Sequence, residues 1–274
     1  MILADCHNHT SFSSDSIAPM ESMIERAVSL GLKTICITDH MDYLFPKQYD
    51  MSFVFDVDTY FDKLDECRMR YGNTIEILSG IELGLRNEPD IRPLCVDYYH
   101  ELAGKYPFDQ LIGSTHILEY IDPYYPEYWH THSETEGLRA YFESILENIR
   151  HYDMFQVYGH LDYLVRYLPG KTKDYPYSDY LDIIDEAFRL LIAEGRGIEL
   201  NTAGYKYGLA YAHPRPELLV RYKELGGELL TIGSDGHAPE QLAYDFARAR
   251  ELLLSLGYRY YTVYRKCKPE FQPL

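Results

Sequence analysis

The feature that most limits what this chain can fold into is its alternation of short apolar or β-branched runs with longer segments of helical period. "MILADCH" precedes "PMESMIERAVSLG", and "TICIT" precedes, after a loop, "VDTYFDKLDECRMRYG". The order repeats through "IEILSG", "IRPLCVDYYHELAGK", "FDQLIGS", "TEGLRAYFESILENIRHY", "MFQVYG", "YSDYLDIIDEAFRLLIAEG", "GIELN", "RPELLVRYKELGG", "LLTIGS" and "PEQLAYDFARARELLLSLG". The short runs read as strands and the 3.6-period stretches between them as helices. Gly31, Gly72, Gly195, Gly226 and Gly257 fall just past helical segments, where a left-handed cap is wanted. Seven strands each followed by a helix or loop, with no antiparallel block, predict an α/β fold closed as a parallel barrel. "YRYYTVY" is left over as a final short strand. An open doubly wound sheet is the second possibility.

A chain of 274 residues is ordinary for one such barrel, so residues 1–274 are read as one domain with room for a large core. With 46% apolar and 25% charged residues and no low-complexity tract, disorder is excluded as a reading. There is no basic segment followed by an apolar run of signal length, and no stretch long enough to span a bilayer, so a cytoplasmic protein without a membrane partner is expected. The five cysteines are odd in number and never in a CxxC pair, which favours buried thiols in a reducing compartment over disulfides or a zinc ribbon. A net charge of −17 repels polyanions and argues against nucleic acid as partner. A small anion is still acceptable if cations in a site bind it, and metal ions would do so.

The histidines and acids have a pattern within that reading. His7 and His9 end the first strand, His40 follows the second in "ICITDH", Glu82 the third, His116 the fourth in "LIGSTH" and His160 the fifth. Asp235 and His237 follow the seventh in "LTIGSDGH", and Asp15 can reach back from the first loop. In parallel α/β folds the C-terminal ends of the strands form the site, so these residues converge there. Alternation along a strand would group Asp5 with His7 and His9, and Asp235 with His237. Six imidazoles and three carboxylates are too many for one tetrahedral zinc and suit two or three divalent ions sharing carboxylates. Imidazole with carboxylate fits zinc, iron or manganese. A single strand-end histidine is more often a hydrogen-bonded structural residue; the weight lies in six of eleven histidines sharing one face. The other five (His100, His130, His132, His151, His213) read as solvated or packing residues, with a substrate-covering loop as the second reading for "HTH" at 130–132. Asp5 and Asp39 read either as partners that orient imidazoles or as strand-end caps. The tyrosine-rich "EYIDPYYPEYWH" reads as an aromatic rim or lid. Ser114 and Ser234 lack a base at triad spacing, which speaks against a serine hydrolase.

With these residues in order, the chain resembles the PHP superfamily, and within it the histidinol-phosphate phosphatases. "DCHNHT" with Asp15, "TDH", "GIE", "GSTH", "GH" and "GSDGH" look like its successive motifs over nearly the whole chain. The resemblance implies a distorted (β/α)7 barrel holding three divalent ions at the C-terminal ends of its strands. By position, His7, His9, Glu82 and Asp235 would hold the first ion. Glu82 would bridge to a second, completed by His116 and His160, and Asp15, His40 and His237 would hold the third. Many members carry His where this chain has Asp15. "GHLDYLVRY", "ELNTAG" and "YFESILENI" look like the histidinol-phosphatase branch. Arg166 matches an arginine that contacts phosphate there, and Lys206 in "NTAGYKY" lies near the place of a second basic residue, although Lys is a point charge where Arg is a fork.

The resulting expectation is metal-assisted hydrolysis of a small phosphate monoester, L-histidinol phosphate, to L-histidinol in histidine biosynthesis. A water bridging the metals, its pKa lowered towards roughly 7, would attack phosphorus while the third metal and Arg166 neutralise the phosphoryl oxygens. Asp235 or His237 would then give a proton to the leaving alkoxide. The alternatives are another phosphate ester (a nucleotide, phosphotyrosine or a sugar phosphate), a metal-stabilised binding protein without activity, or amide hydrolysis at a smaller metal set.

Overall fold

The computed structural model describes residues 1–170 and 173–274. In chain order, its first half holds β1 (Ala4–Asp5), α1 (Met20–Ser29), β2 (Thr34–Ile37), β3 (His40–Met41), α2 (Val57–Tyr71), β4 (Glu76–Gly84), α3 (Arg92–Lys105), β5 (Gln110–Ser114), α4 (Pro126–Thr131) and α5 (Glu134–His151). The second half holds β6 (Val157–Tyr158), α6 (Leu181–Ala193), β7 (Gly197–Asn201), α7 (Ala203–Lys206), α8 (Pro216–Glu224), β8 (Leu230–Gly233), α9 (Phe246–Ser255), β9 (Tyr260–Arg265) and β10 (Lys268–Pro273).

The main sheet runs β1-β2-β4-β5-β6-β7-β8, all parallel, and β3 pairs with the second half of β4. Backbone hydrogen bonds from Cys6 N to Ile232 O, from Asp235 N to His7 O and from His9 N to Gly236 O join the first strand to the last. These three bonds turn the sheet into a nearly closed barrel and leave the doubly wound alternative aside. Strands β2, β5, β7 and β8 are buried throughout, as expected when helices cover the outside and side chains fill the inside.

Local chemistry sets the helix ends. Asp56 caps α2 by accepting from Thr59 N at 2.7 Å, and Ser133 with Glu136 forms a capping box at α5. Gly31, Gly195, Gly226 and Gly257 have φ between 68° and 95°, the left-handed cap expected after α1, α6, α8 and α9. Gly72 does not share it: its φ is −61°, and a Cβ there would lie 2.4 Å from Arg68 O, so close packing explains that glycine.

Other expectations change. "YRYYTVY" is no lone strand, because β9 pairs antiparallel with β10, whose exposed, proline-bounded residues carry a weak strand signal. The last helix begins only at Phe246, the preceding residues forming a 3-10 turn at Pro239–Gln241. Four cysteines are buried, but Cys267 is exposed on the turn between β9 and β10. Among the described residues, no helix is long and apolar enough to cross a membrane.

Candidate metal centre

The strand ends bring all nine residues singled out above onto the floor of one cleft or just beneath it. His7, His9 and Glu82 are fully buried; Asp15, His40, His116, His160, Asp235 and His237 line the cleft, whose volume is about 570 Å³. Glu82 is the hub. It sits inside β4, opposite His40 on β3 and Ile112 on β5, and not past the strand's end. Its Oε2 lies 3.2 Å from His7 Nε2, 3.5 Å from His9 Nε2 and 3.0 Å from His40 Nδ1. Its Oε1 lies 3.2 Å from His116 Nε2 and 2.7 Å from His160 Nε2.

Two carboxylates complete the arrangement. Asp235 Oδ1 is 3.2 Å from His9 Nε2, 3.9 Å from His7 Nε2 and 3.6 Å from His237 Nδ1. Asp15 Oδ2 is 3.2 Å from His237 Nε2 and 3.6 Å from His40 Nε2. Asp235 has a φ of 52°, so a left-handed turn after β8, and not strand alternation, aims it beside His237. Asp readily takes that conformation because its short side chain bonds locally.

These residues fit divalent ions on their own geometry. Ligand atoms about 2.0–2.1 Å from a tetrahedral zinc lie roughly 3.3 Å apart, which matches most of the spacings around Glu82 and Asp235. His7 Nε2, His9 Nε2, His40 Nδ1 and Glu82 Oε2 are buried with no hydrogen-bond partner, an arrangement that costs free energy unless a cation satisfies it. Four groups of three ligand atoms converge: His9, His40 and His237; His7, His9 and Glu82; His40, Asp42 and His116; Glu82, His116 and His160.

The far side of four of the six rings is already held, His40 and His160 being the exceptions. His7 Nδ1 donates to Glu199 Oε1 at 2.7 Å, His116 Nδ1 to Asp42 Oδ2 at 2.7 Å, and His237 Nδ1 to the Asp235 carbonyl at 3.1 Å. His9 Nδ1 donates to Ser13 Oγ at 3.1 Å, whose own proton goes to Asp39 Oδ1 at 2.7 Å. Each of these bonds places the ring proton on Nδ1 and leaves the Nε2 lone pair facing the cluster, the arrangement a metal requires.

The charges follow from this packing. Burial alone would raise the Glu82 carboxyl, but the charges of His7, His40 and His116 hold it well below the usual range. Asp235 is likewise held well down against its burial, by the His9 hydrogen bond and the charges of His7 and His237. Burial, then the neighbouring His237 and His40, pushes His9 well below an ordinary imidazole; its ring is stacked 4.1 Å and 4.2 Å from those two. His116 goes the other way: burial pulls it down, but Asp42 and Glu82 raise it to about 10.

Glu199 and Asp42 were missed in the sequence. A glutamate flanked by Ile198 and Leu200 in a strand buried on both faces must have a partner, and that was the available signal. Asp42 had none beyond its nearness to His40. Asp5 does not join the imidazoles: it accepts from Ser234 N, Ser234 Oγ and Ala243 N and so ties the loop after β8 to β1. β1 ends at Asp5, so the alternation assumed through His9 does not hold. Asp39 reaches His9 only through Ser13.

Arg166, from the 3-10 turn Tyr163–Tyr167, lines the cleft, with its guanidinium 5.1, 5.0 and 4.3 Å from the rings of Tyr163, Tyr167 and Tyr207. Among the described residues it has no ion-pair partner, and its buried Nε has no hydrogen bond. Lys206 is turned onto the loop after β8, donating to the Asp235 carbonyl at 2.8 Å and to Gln241 Oε1 at 3.0 Å, and is not part of the cleft wall. His130 and His132 lie in and just after α4, away from the cleft, although Tyr124 and Tyr125 of the same tyrosine-rich segment line it. His213 is buried, bonded to Asp162 Oδ1 at 2.7 Å.

Comparison with known proteins gives the family of the chain. Residues 5–203 match the PHP domain family. A probable histidinol-phosphatase of Clostridium acetobutylicum is 31% identical over 251 residues, covering 90% of this chain and 91% of its own. The histidinol-phosphatase of Lactococcus lactis is 28% identical over 262 residues, covering 93% of this chain and 91% of its own. The crystal structure of that Lactococcus enzyme, complexed with zinc, L-histidinol and phosphate, superposes with a TM-score of 0.86 over 97% of this chain and 98% of the other at 26% identity. A putative histidinol phosphatase of Listeria monocytogenes shares the fold, with a TM-score of 0.76 at 18% identity over 89% of this chain and 99% of the other. This chain belongs to the PHP domain family of metal-dependent phosphoesterases, in its histidinol-phosphatase branch.

Proposed function

We propose that this protein hydrolyses L-histidinol phosphate to L-histidinol and phosphate at a centre of three divalent ions, within the biosynthesis of histidine. The observation that carries the reading is Arg166: a guanidinium in a tyrosine cage, without an ion-pair partner among the described residues, on the wall of the cleft whose floor is the imidazole and carboxylate cluster. A dianionic phosphoryl group placed between them meets positive charge on both sides.

His7, His9, Glu82 and Asp235 would hold one ion, Glu82 with His116 and His160 a second, and Asp15, His40 and His237 a third. Zinc, manganese and iron all suit these donors. When bound, the ions would activate water as a nucleophile and neutralise phosphoryl charge. The chain's own residues do the rest. Arg166 offers its fork to the non-bridging oxygens and orients the ester with its phosphorus over Glu82. Asp235 Oδ1 faces His7, His9 and His237, which leaves Oδ2, ionised at rest, as the oxygen that would take the proton released by the attacking water and pass it to the departing alkoxide. His237 is less free to do so, with Nδ1 on the Asp235 carbonyl and Nε2 facing Asp15.

The test is phosphate release from L-histidinol phosphate, p-nitrophenyl phosphate and a nucleoside bisphosphate, with zinc, manganese or iron supplied separately. A preference for histidinol phosphate of orders of magnitude in kcat/KM, abolished by His116→Ala, is expected. Equal, weak turnover of all three esters would overturn the substrate assignment, and no turnover with any metal would leave a metal-binding protein.

A further inference from the structure

The cleft holds a second unpaired charge. Of its four carboxylates, Asp15, Asp42 and Asp235 face imidazoles, whereas Asp122 has no cationic partner among the described residues. Asp122 follows a tight turn in which Leu118 and Ile121 bond to each other and Glu119 and Tyr120 have φ of 51° and 65°. Its backbone N–H donates to Tyr49 Oη at 2.9 Å, and its Oδ1 accepts from Tyr124 N at 2.8 Å. The residue is thus fixed at both ends, and among the described residues no hydrogen bond to Oδ2 is present.

Burial pushes the Asp122 carboxyl up to about 6, the backbone hydrogen bond from Tyr124 and the charge of His116 offsetting part of the rise. A half-buried carboxylate beside aromatic rings is a receptor for an ammonium group, which supplies the counter-charge that partial burial leaves missing. The rings are present: Tyr125 stacks on Tyr49 at 4.4 Å, and Tyr124 meets Tyr167 edge-on at 5.5 Å. Arg166 and Asp122 therefore give one cleft a cationic and an anionic post, neither with an ion-pair partner among the described residues.

Resting on the phosphatase reading above, we propose that Asp122 is the specificity-determining residue that binds the ammonium group of an aminoalkyl phosphate while Arg166 binds its phosphate. The substrate class is a zwitterionic phosphate monoester, with a flat ring placed along the Tyr124 and Tyr125 wall. Asp122 does not touch the reacting atoms; it sets which esters are held over them.

The experiment compares the holoenzyme with Asp122→Asn and Asp122→Glu on two substrate pairs: L-histidinol phosphate against its deaminated analogue, and 3-aminopropyl phosphate against n-butyl phosphate. Asparagine keeps the acceptor for Tyr124 N and removes only the charge. The kcat/KM ratio of amine-bearing to neutral ester is expected to fall at least tenfold in Asp122→Asn, chiefly through KM, and to recover in part in Asp122→Glu. Inhibition by the product L-histidinol is expected to weaken at least tenfold in the asparagine variant, with inhibition by inorganic phosphate following Arg166 instead. An unchanged ratio in both pairs overturns the proposal, as does an equal loss on amine-bearing and neutral esters, which would mark Asp122 as a loop-holding residue. If histidinol phosphate proves a poor substrate while the aminopropyl preference is present and lost in Asp122→Asn, the histidinol reading falls and the Asp122 assignment stands.

Discussion

Glu199 is the most informative residue to change, because one carboxylate there serves three donors. Its Oε1 accepts from His7 Nδ1 at 2.7 Å, and its Oε2 accepts from His160 N at 2.9 Å and Asn201 Nδ2 at 3.1 Å. Glu199→Gln keeps the size and replaces one acceptor with an NH₂. If the amide oxygen stays on the His160 and Asn201 side, the NH₂ faces His7 Nδ1 and forces the ring proton onto Nε2. That nitrogen is the one 3.2 Å from Glu82 Oε2, so His7 is lost as a ligand. If the amide flips, buried donors face buried donors, at a cost of about 1–3 kcal/mol. Removing such a partner of a ligating histidine weakens metal binding about 10- to 100-fold, or about 1.4–2.7 kcal/mol. A hundredfold weaker site also withdraws about 2.7 kcal/mol of metal-linked stability at fixed free metal. The assay is zinc titration against a competing chelator, with bound metal counted per chain, in wild type and Glu199→Gln. Wild-type affinity and stoichiometry in the variant would refute the assignment of Glu199 as the residue that sets the His7 tautomer.

Four further outcomes follow from the structure. Arg166→Lys keeps the charge but loses the fork and the tyrosine stacking, so kcat/KM should fall roughly 10- to 100-fold on every phosphate ester alike; a loss confined to amine-bearing esters would contradict its phosphate role. Gly233→Ala would place a Cβ 2.3 Å from Glu199 Oε1 and 2.4 Å from His7 Cβ, so a loss of roughly 1–3 kcal/mol and of bound metal is expected in denaturant melts. Gly104→Ala in α3 meets nothing within 4 Å and should gain roughly 0.5–1 kcal/mol. In the metal-stripped protein His116 is held up to about 10 against an unfolded value of about 6.5. Its contribution to stability is therefore complete below pH 6.5 and lost as pH rises through 10. His7 and His40, also raised, act in the same sense, so chelated protein should lose stability from pH 7 to 10, and a gain over that range would contradict the ion-pair reading.

The alternation of strand and helix was readable because buried parallel strands leave continuous apolar runs, and the polar residues interrupting those runs at one end pointed to the site. What could not be read was geometry set by pairing. Glu82 looks like a strand-end residue in "SGIEL", yet β4 extends to Gly84 because β5 pairs with it from Gly80 to Gly84 and β3, only His40 and Met41, pairs on its other side. Asp235 reaches His237 through a positive φ that no alternation rule contains. Lys206 was readable as a cation near the site, but the carbonyl of Asp235 and the Gln241 side chain that hold it belong to a loop whose path the sequence does not state. Asp122 lay in view inside "EYIDPYYPEY", and its role depends on lacking a partner, which only the packed structure displays.

The seam between β1 and β8 has a consequence for synthesis. His7 and His9 leave the ribosome first, while Asp235 and Gly236, which bond across that seam, and His237 beside them emerge after most of the chain. At about 5–20 residues per second the interval is roughly 10–50 s, during which His40, Glu82, His116 and His160 also emerge but Asp235 and His237 are still to be made. The last strand of the barrel to be made, β8, with only β9 and β10 after it, is therefore the one that brings Asp235 and His237 to the cluster, so the full set of ligands exists only near the end of synthesis.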